Sequence, residues 1–523
     1  MKDFKTKILE YFNLTKEQYD VLSKDVTIDD LPSFKNYKQI EECANFIHEK
    51  VNQKTKILIY GDYDCDGVMS TSILYLTLKT KDFTPGFYIP FRETDGYGLT
   101  KNNIDKFREL GYKLIILVDN GINLITEINY ANSLGIEIVI FDHHTIEGNL
   151  PNAKFILHPT YSGFSKINMS AGTVAFFFSV AYLGFVDEYL LSMAAISTLS
   201  DLMPLQDTNR LLVKLGLKMT NKNKYQNIFL LNSSNSVPFI NEKDISMVII
   251  PKINAIGRLI NNSLLFNIVR YFTNIGDDKF ILRQSKWIND VNNNRKQLVT
   301  DLVKNCQIDN NKNSIVIYEG DIKEGLAGLL ATRFMDEFNK PTAVIVQEAN
   351  NPEVLKGSLR SKKGFNVNII LNDMKDILLT HGGHENAGGL TLKKENFNLF
   401  KERFEKAATS HPFSNEKHDE IDINLGDLTK ENYDFLYALS PFGQDFKAPK
   451  FIIKNIKTSF LKLSKNRQHI YTPININSTI VYFNYDKTLF NFPFVNLIGE
   501  LNLNYFNNFY SVQFKVLMFS KNL

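Results

Sequence analysis

The chain has 523 residues, of which 44% are hydrophobic and 22% are charged. These proportions exclude a wholly disordered chain, and the length predicts several domains. Its 60 lysines and arginines nearly balance 57 aspartates and glutamates, leaving +3. This excludes a polybasic protein, although a local basic groove is compatible with it. Three cysteines are too few for a disulfide framework or a cysteine-rich zinc site, so we expect a reduced, cytoplasmic chain.

The first part of the chain reads as helices followed by a parallel sheet. Residues 1–50 are polar with helical spacing, and we interpret them as an N-terminal helical arm. From Lys56 onward, short β-rich runs alternate with helical stretches, which predicts a parallel sheet with crossover helices. Residues 167–186 carry no charge, but the Asn, Ser and Thr among them favour a buried helix over a membrane span. We expect neither a signal peptide nor a membrane association.

The residue pattern of the second part of the chain predicts a connecting helix and two further folded units. Apolar residues at helical spacing predict one long helix over 277–306. Residues 314–408 alternate strand and helix patterns, which predicts a second, smaller α/β unit. The polar stretch 410–420 marks a boundary, and the strand-like runs after it predict a small β-barrel or sandwich.

Three of the predicted strands end in an aspartate: KILIYG before Asp62, LIILV before Asp119 and IVIF before Asp142. Ligands of parallel sheets gather at the carboxyl ends of the strands. The first of these segments, GDYDCDG, adds Asp64 and Asp66. Three like charges so close together are costly unless cations neutralise them. A solvated turn or a helix cap is the alternative interpretation, and the EF-hand spacing is absent.

Further ligand candidates follow in the chain. Asp142 is succeeded by His143 and His144, and Asp201 stands between apolar runs. Aspartates in such positions are rarely buried unless they are paired or bind a metal. Carboxylate and imidazole ligands without cysteine suit Mn²⁺ or Mg²⁺. Together, these side chains are numerous enough for two ions, a pair that suits phosphoryl transfer.

In this order and spacing, the motifs GDYDCDG, VDNG, DHH and LSDLMPL resemble those of the DHH phosphoesterase superfamily. The segments RETDGYGL, PKINAIGRL, GSLRS and HGGHENAGG resemble its single-strand-specific exonuclease branch. The resemblance implies an α/β fold with five parts. These are the arm at 1–50, a DHH catalytic domain at 51–272, a connecting helix at 273–308, a DHH-associated substrate-binding domain at 309–412 and an OB-fold-like barrel at 420–523.

The resemblance also implies roles for individual residues. The implied metal ligands are Asp62, Asp64, Asp66, Asp119, His143 and Asp201. The implied catalytic residues are His144, Asp142 and His384. The implied substrate-binding residues are Arg92, Arg258, Ser358, Arg360, Gly382, Gly383 and His384. In the last unit, lysines interleave with Phe460 and Tyr471, a pattern that suits single-strand binding.

The function implied by the resemblance is exonucleolytic digestion of single-stranded DNA from the 5′ end, in repair and recombination, with two Mn²⁺ or Mg²⁺ ions. The implied partners are single-stranded DNA, a single-strand-binding protein and a helicase, and we expect a monomer. Two alternatives stay open. One is a DHH enzyme for smaller substrates, an oligoribonuclease or cyclic-dinucleotide phosphodiesterase. The other is an inactive scaffold that binds single strands.

Overall fold

The architecture is that of a computed structural model, which describes residues 2–232, 239–274, 276–306, 308–309, 311–318, 322–348, 351–413, 420–506 and 509–521. None of the helices formed by these residues combines the length and the hydrophobicity that crossing a bilayer requires. The interpretation of 410–420 as a boundary falls largely on 414–419, which lie outside the described residues.

The chain opens with three helices: α1 (Phe4–Tyr11), α2 (Lys16–Ser23) and α3 (Ile40–Asn52). Asp3 caps α1 by accepting from the backbone N–H of Thr6, and Thr15 with Gln18 forms a capping box on α2. These caps satisfy amide donors that the first helical turn leaves unpaired.

The predicted parallel sheet is present and has five strands. Its elements are β1 (Ile57–Tyr60), α4 (Cys65–Leu78), β2 (Gly86–Tyr88), α5 (Lys101–Glu109), β3 (Leu114–Val118), α6 (Ile125–Ser133), β4 (Glu137–Phe141) and β5 (Phe155–Leu157). The strand order is β2-β1-β3-β4-β5, and every pairing is parallel. The chain reverses its direction of strand addition beside β1 and β3, where ligand sites of such sheets form.

A helical layer covers the sheet and continues into the connecting helix. It comprises α7 (Ala171–Leu183), α8 (Glu188–Ser200), α9 (Asp207–Asn223), α10 (Gln226–Leu231), α11 (Glu242–Asp244), α12 (Ile250–Leu259), α13 (Asn267–Thr273) and α14 (Asp278–Asn305). The uncharged run forms α7, whose residues 171–179 are buried. The long helix α14 is present as predicted and packs against both α12 and the next unit.

The second α/β unit consists of β6 (Ile315–Tyr318), α15 (Glu324–Phe338), β7 (Thr342–Glu348), β8 (Asn351–Arg360), α16 (Val367–Asp373), β9 (Leu378–Gly383), β10 (Ala387–Lys393) and α17 (Phe397–Ser410). Its strand order is β6-β7-β8-β10-β9. The first pairing is parallel and the others are antiparallel. The GSLRS and HGGHENAGG segments therefore come together on neighbouring strands.

The C-terminal unit is a six-stranded sheet. It contains β11 (Ile421–Asp422), α18 (Lys430–Tyr437), β12 (Phe451–Lys457), β13 (His469–Asn475), β14 (Ser478–Phe483), β15 (Phe494–Phe506) and β16 (Phe509–Lys521). The strand order is β11-β12-β15-β16-β14-β13. It is the β-rich unit that the sequence predicts after residue 420.

The N-terminal arm divides between two units. Phe4, Ile8 and Tyr19 of α1 and α2 belong to the hydrophobic core of the C-terminal sheet. The Phe4 ring stacks on Phe451, with ring centroids 5.7 Å apart. In contrast, α3 packs against α7 in the core beneath the parallel sheet. Thus the arm bridges units that lie far apart in sequence.

Candidate metal centre

The strand-end acids meet at one edge of the parallel sheet. Asp62 follows β1, Asp119 follows β3, and Asp142 with His143 follows β4, while Asp201 ends α8 beside them. Carboxylate and imidazole atoms form three groups, and within each group they lie no more than 4.8 Å apart. The groups are Asp119, Asp142, His143 and His144; Asp66, His143 and Asp201; and Asp62, Asp64 and Asp119. All six predicted metal ligands are therefore together.

His143 stands at the centre of this cluster. Its Nε2 lies 3.1 Å from Asp119 Oδ1, 3.3 Å from Asp201 Oδ2 and 3.7 Å from Asp66 Oδ2. Burial, followed by the neighbouring His144, lowers the pKa of His143 to about 3. A neutral imidazole that faces three carboxylates is suited to bind a metal ion.

The carboxylates repel one another in a buried site. Burial, followed by the charge of Asp64, raises the pKa of Asp62 to about 8 and that of Asp201 to about 6. Burial and neighbouring acids also raise the pKa values of Asp66 and Asp119. Buried acids with so little compensating charge fit a site for cations.

The backbone and a buried oxygen also fit a metal site. Asp119 has φ of +63°, a left-handed conformation that is costly for a residue with a side chain. Asp62 Oδ1 is buried and has no hydrogen-bond partner. An unpaired carboxylate oxygen in such a place is costly unless it binds an ion. The donor set, carboxylates with one imidazole, is that of Mn²⁺ or Mg²⁺.

Asp66 is held by the start of α7. Its carboxylate accepts hydrogen bonds from Ala171 N at 2.8 Å and Gly172 N at 2.9 Å, and from Ser197 Oγ. The N-terminus of a helix stabilises negative charge. No sequence pattern indicates Ser197, because it comes from a different helix, α8.

Asp142 orients the histidines. Its carboxylate accepts from Ile122 N at 2.9 Å and His143 N at 2.7 Å, and its Oδ1 lies 2.7 Å from His144 Nδ1. Burial raises the pKa of Asp142, but the hydrogen bond and charge of His144 outweigh it and bring the pKa to about 2. The ionised carboxylate only accepts, so His144 Nδ1 carries the proton of this contact.

Tyr97 is a neighbour of the site that the sequence reasoning did not single out. Its hydroxyl lies 3.1 Å from Asp119 O, to which it donates, and 3.3 Å from His144 Nε2. The His144 side chain is 43% exposed, so this corner of the site is open to a substrate. Tyr97 belongs to the RETDGYGL segment, and the resemblance of this segment is the sequence signal that could have indicated it.

A cleft between the two α/β units lies beside the metal cluster, and its charged lining residues are Arg92, Lys356 and Glu324. Arg92 lies over the Tyr63 ring, 3.9 Å from its centroid, and Arg258 Nη1 donates to Gly325 O at 2.9 Å. Burial, then the charge of Arg92, lowers the pKa of Arg258 to about 10, and the charge of Arg360 also contributes. The cleft has a volume of about 390 Å³, and of the predicted substrate-binding residues just named its lining includes Arg92 and Ser358 but not Arg258 or Arg360.

The hairpin of β9 and β10 supplies the other side of the cleft. His381 and Gly382 of this hairpin line the cleft, together with Lys356 of β8. Gly383 and His384 lie at the turn of this hairpin, and both residues are exposed. The backbone N–H of His384 donates to Ala387 O at 2.8 Å. A Cβ on Gly383 would lie 2.4 Å from Ala387 O, and its φ is +151°. The structure therefore brings His381, rather than His384, to the cleft lining.

Comparisons with known proteins agree with this arrangement. Residues 56–199 match the DHH family N-terminal domain, residues 311–410 the DHHA1 domain and residues 420–517 the RecJ OB domain. The chain is therefore similar to RecJ proteins over three successive domains. It is 30% identical, over 90% of its length, to the single-stranded-DNA-specific exonuclease RecJ of Bacillus subtilis, and it spans 62% of that relative.

Solved RecJ structures share the fold. RecJ of Thermus thermophilus, in complex with Mn²⁺, matches 99% of this chain and 76% of its own at 22% identity, with a TM-score of 0.82. An exonuclease RecJ bound to manganese matches 72% of this chain and 96% of its own at 26% identity, with a TM-score of 0.61. The fold of these RecJ structures therefore extends over this chain from the sheet of β1 to that of β16.

Proposed function

We propose that this chain is a RecJ-type, metal-dependent exonuclease that degrades single-stranded DNA from the 5′ end, in repair and recombination. The observation that carries the proposal is the cluster of six aspartates and two histidines, with His143 at its centre, beside a cleft whose lining includes Arg92 and Lys356. Similarity to the single-stranded-DNA-specific exonuclease RecJ and the match to the RecJ OB domain support single-stranded DNA as the substrate.

In this proposal, two Mn²⁺ or Mg²⁺ ions are held by Asp62, Asp64, Asp66, Asp119, His143 and Asp201. When bound, they would activate a water and stabilise the charge that develops on the phosphate. Asp119 belongs to two of the three groups and would help to hold both ions, and Asp66 would help to hold an ion together with His143 and Asp201. Asp142 orients His143 and His144 through its hydrogen bonds.

His144 and the cleft residues would handle the substrate. With Nδ1 engaged by Asp142, His144 has Nε2 available for Tyr97 or for a phosphate oxygen. Arg92, Arg258 and Arg360 would supply donors to phosphates. Ser358, Gly382 and Gly383 would allow the strand to approach the backbone of β8 and β9. The role of His384 is proposed from its place on the same hairpin.

The C-terminal sheet would guide the strand. His469 and Phe483 pair across β13 and β14, and Lys515 lies over the Phe483 ring, 6.0 Å from its centroid. Aromatic faces next to lysines are suited to stacking bases without regard to sequence. We further propose a cytoplasmic monomer that acts with a single-strand-binding protein and a helicase.

The test follows strands labelled at the 5′ or the 3′ end, of DNA and of RNA, with each metal. We expect immediate release of the 5′ label and progressive shortening of 3′-labelled DNA. The combined variant Asp66→Ala, His143→Ala should lose more than about 100-fold in rate, since it removes ligands rather than their supports. Asp373→Ala with His411→Ala, both at exposed positions, is the matched control.

Other outcomes would overturn the proposal. Release of the 3′ label first would contradict the polarity. Cleavage of dinucleotides but not of long strands would favour the oligoribonuclease or cyclic-dinucleotide alternative. Binding of single strands without cleavage in either metal would favour the inactive scaffold.

A further inference from the structure

A second cavity lies away from the metal centre, between α12 and the long helix α14. We name it the α12–α14 groove and define it by Lys252, Lys286, Arg295 and Lys296, which line it. Its volume is about 760 Å³, and the residues that line it include these four cations and no acid. A concave site with four positive charges favours an anion.

The charges of the groove are available to a ligand. Within the described part of the chain, Lys286, Arg295 and Lys296 are not ion-paired. Arg295 Nε is buried without a hydrogen-bond partner. Lys252 differs, because its Nζ donates to Leu231 O at the end of α10. Thus three of the four cations have donors to offer, and one of those donors is already desolvated.

Amide groups and apolar side chains complete the groove. Asn292 is 2% exposed and its Oδ1 has no hydrogen-bond partner, while Asn289 and Asn293 line the same cavity. A buried amide oxygen without a partner is costly unless a ligand donor reaches it. Met247 and Leu282, also in the lining, are 71% and 58% exposed. They offer an apolar surface that could cover the face of a base.

The groove and the metal centre lie on different faces of α12. On one face, Asn254 Oδ1 accepts from Cys65 N at 2.8 Å and Gly257 contacts the Tyr63 carbonyl. On the other, Lys252 lines the groove, and the charge of Arg295 in the groove also lowers the pKa of Arg258. A ligand of the groove therefore does not need the metal ligands.

We propose that the α12–α14 groove binds a phosphate-bearing nucleotide. Lys286, Arg295 and Lys296 would hold the phosphate, Asn292 would accept from the edge of the base, and Met247 with Leu282 would cover its face. The nucleotide belongs either to a single strand that passes over α14 or to a free mononucleotide. This site is additional to the cleft of the proposed exonuclease and does not depend on cleavage.

The test measures protection of lysines from acetylation in the full chain, with EDTA present to prevent cleavage. The ligands are a twenty-nucleotide oligo(dT) and dTMP. Lys286 and Lys296 report on the groove, and Lys279 and Lys304 are exposed on the same helix outside its lining. We expect acetylation of the first pair to fall at least several-fold while that of the second pair is unchanged.

A second measurement uses Lys286→Gln with Lys296→Gln, compared with Lys279→Gln with Lys304→Gln. All four positions are exposed, so both variants should fold. If the strand occupies the groove, the salt dependence of oligo(dT) affinity should become shallower by about 1.4 in log–log slope, since each phosphate contact contributes about 0.7. The control variant should keep the wild-type slope in that case.

The possible outcomes distinguish a bound strand from a bound free nucleotide, and both of these from a groove that binds neither. Protection by oligo(dT) with a shallower slope assigns the groove to the strand. Protection by dTMP with an unchanged slope assigns it to a free nucleotide. If neither ligand protects Lys286 and Lys296 more than Lys279 and Lys304, the proposal is overturned, whether or not the chain cleaves DNA.

Discussion

At the scale of single residues, the candidate metal cluster depends on groups that are not among its proposed ligands. Asp66 is buried, and its two oxygens receive three hydrogen bonds, from Ala171 N, Gly172 N and Ser197 Oγ. Hydrogen bonds to a charged group contribute about 1.5–3 kcal/mol each. Ser197 also lies 2.6 Å from Ser170 Oγ, so it belongs to a buried hydroxyl network at the start of α7.

We expect Ser197→Ala to weaken Mn²⁺ binding by about 10–100-fold, because Asp66 loses the donor that orients it. Calorimetric titration with Mn²⁺ measures the effect. Ser192→Ala is the matched control, since Ser192 is buried in the same helix but donates to Glu188 O and Gly216 O. Equal Mn²⁺ affinity for wild type and Ser197→Ala would contradict a positioning role for Ser197.

At the scale of elements, α12 holds the acidic loop of 61–67 in place. Gly257 lets the helix approach this loop, because a Cβ there would lie 2.1 Å from Tyr63 O. The neighbouring Asn254 fixes Cys65 through its backbone N–H. The loop that carries Asp62, Asp64 and Asp66 is therefore positioned by helix packing as well as by the sheet.

For this reason Gly257→Ala should separate α12 from the loop. We expect a loss of about 1–3 kcal/mol in stability, the usual cost of overpacking, together with weaker Mn²⁺ binding. Thermal unfolding with and without Mn²⁺ measures both effects. Gly426→Ala serves as control, because nothing lies within 4 Å of a Cβ there. If Gly257→Ala is as stable as the Gly426→Ala control, α12 can move away from the loop without a loss of folding free energy, and the prediction is wrong.

The sequence predicts the residues of the candidate metal site better than it predicts the residues that hold them in position. Asp62, Asp119 and Asp142 could be brought together in advance, because the carboxyl ends of parallel strands share one edge of a sheet. Ser197 and Gly257 could not, because no short pattern records which helix packs on the acidic loop. Likewise, helical spacing predicts α1 but does not indicate its partner, which is determined by contacts with residues more than 400 positions away.

At the scale of the whole molecule, the C-terminal unit is attached to the first α/β unit through residues 439–442. Arg210, on α9, donates to the carbonyls of Leu439 and Pro441. Glu242 accepts from Phe442 N at 3.1 Å and Ser440 Oγ at 2.9 Å. Such buried polar contacts fix the orientation of one unit against the other.

This attachment should respond to pH through Glu242. Burial raises its pKa above the unfolded value, despite hydrogen bonds from Phe442 N and Ser440 Oγ and the charge of Arg210. The contribution to stability is therefore fully present below the unfolded pKa of about 4.3 and is lost as the pH rises through the folded pKa.

Accordingly, we expect the Tm of the wild type to fall relative to that of Glu242→Gln as the pH rises from 4 to 7. Calorimetric scans at several pH values measure the difference. Glu109→Gln, an exposed position on α5, should follow the wild type throughout. Parallel Tm curves for wild type and Glu242→Gln would contradict the assignment of this titration to Glu242.

The arm that bridges the units also affects the order in which the protein can fold during synthesis. The ion pair of Lys5 with Glu431 joins residues 426 positions apart. At about 5–20 residues per second, the ribosome needs roughly 20 to 85 s between them. For almost all of that interval α1 has been made while its partners in the core of the C-terminal unit, from Ile421 to Val516, have not. The apolar side of α1 therefore stays uncovered, and accessible to chaperones and proteases, until the C-terminal sheet has been synthesised and packs against it.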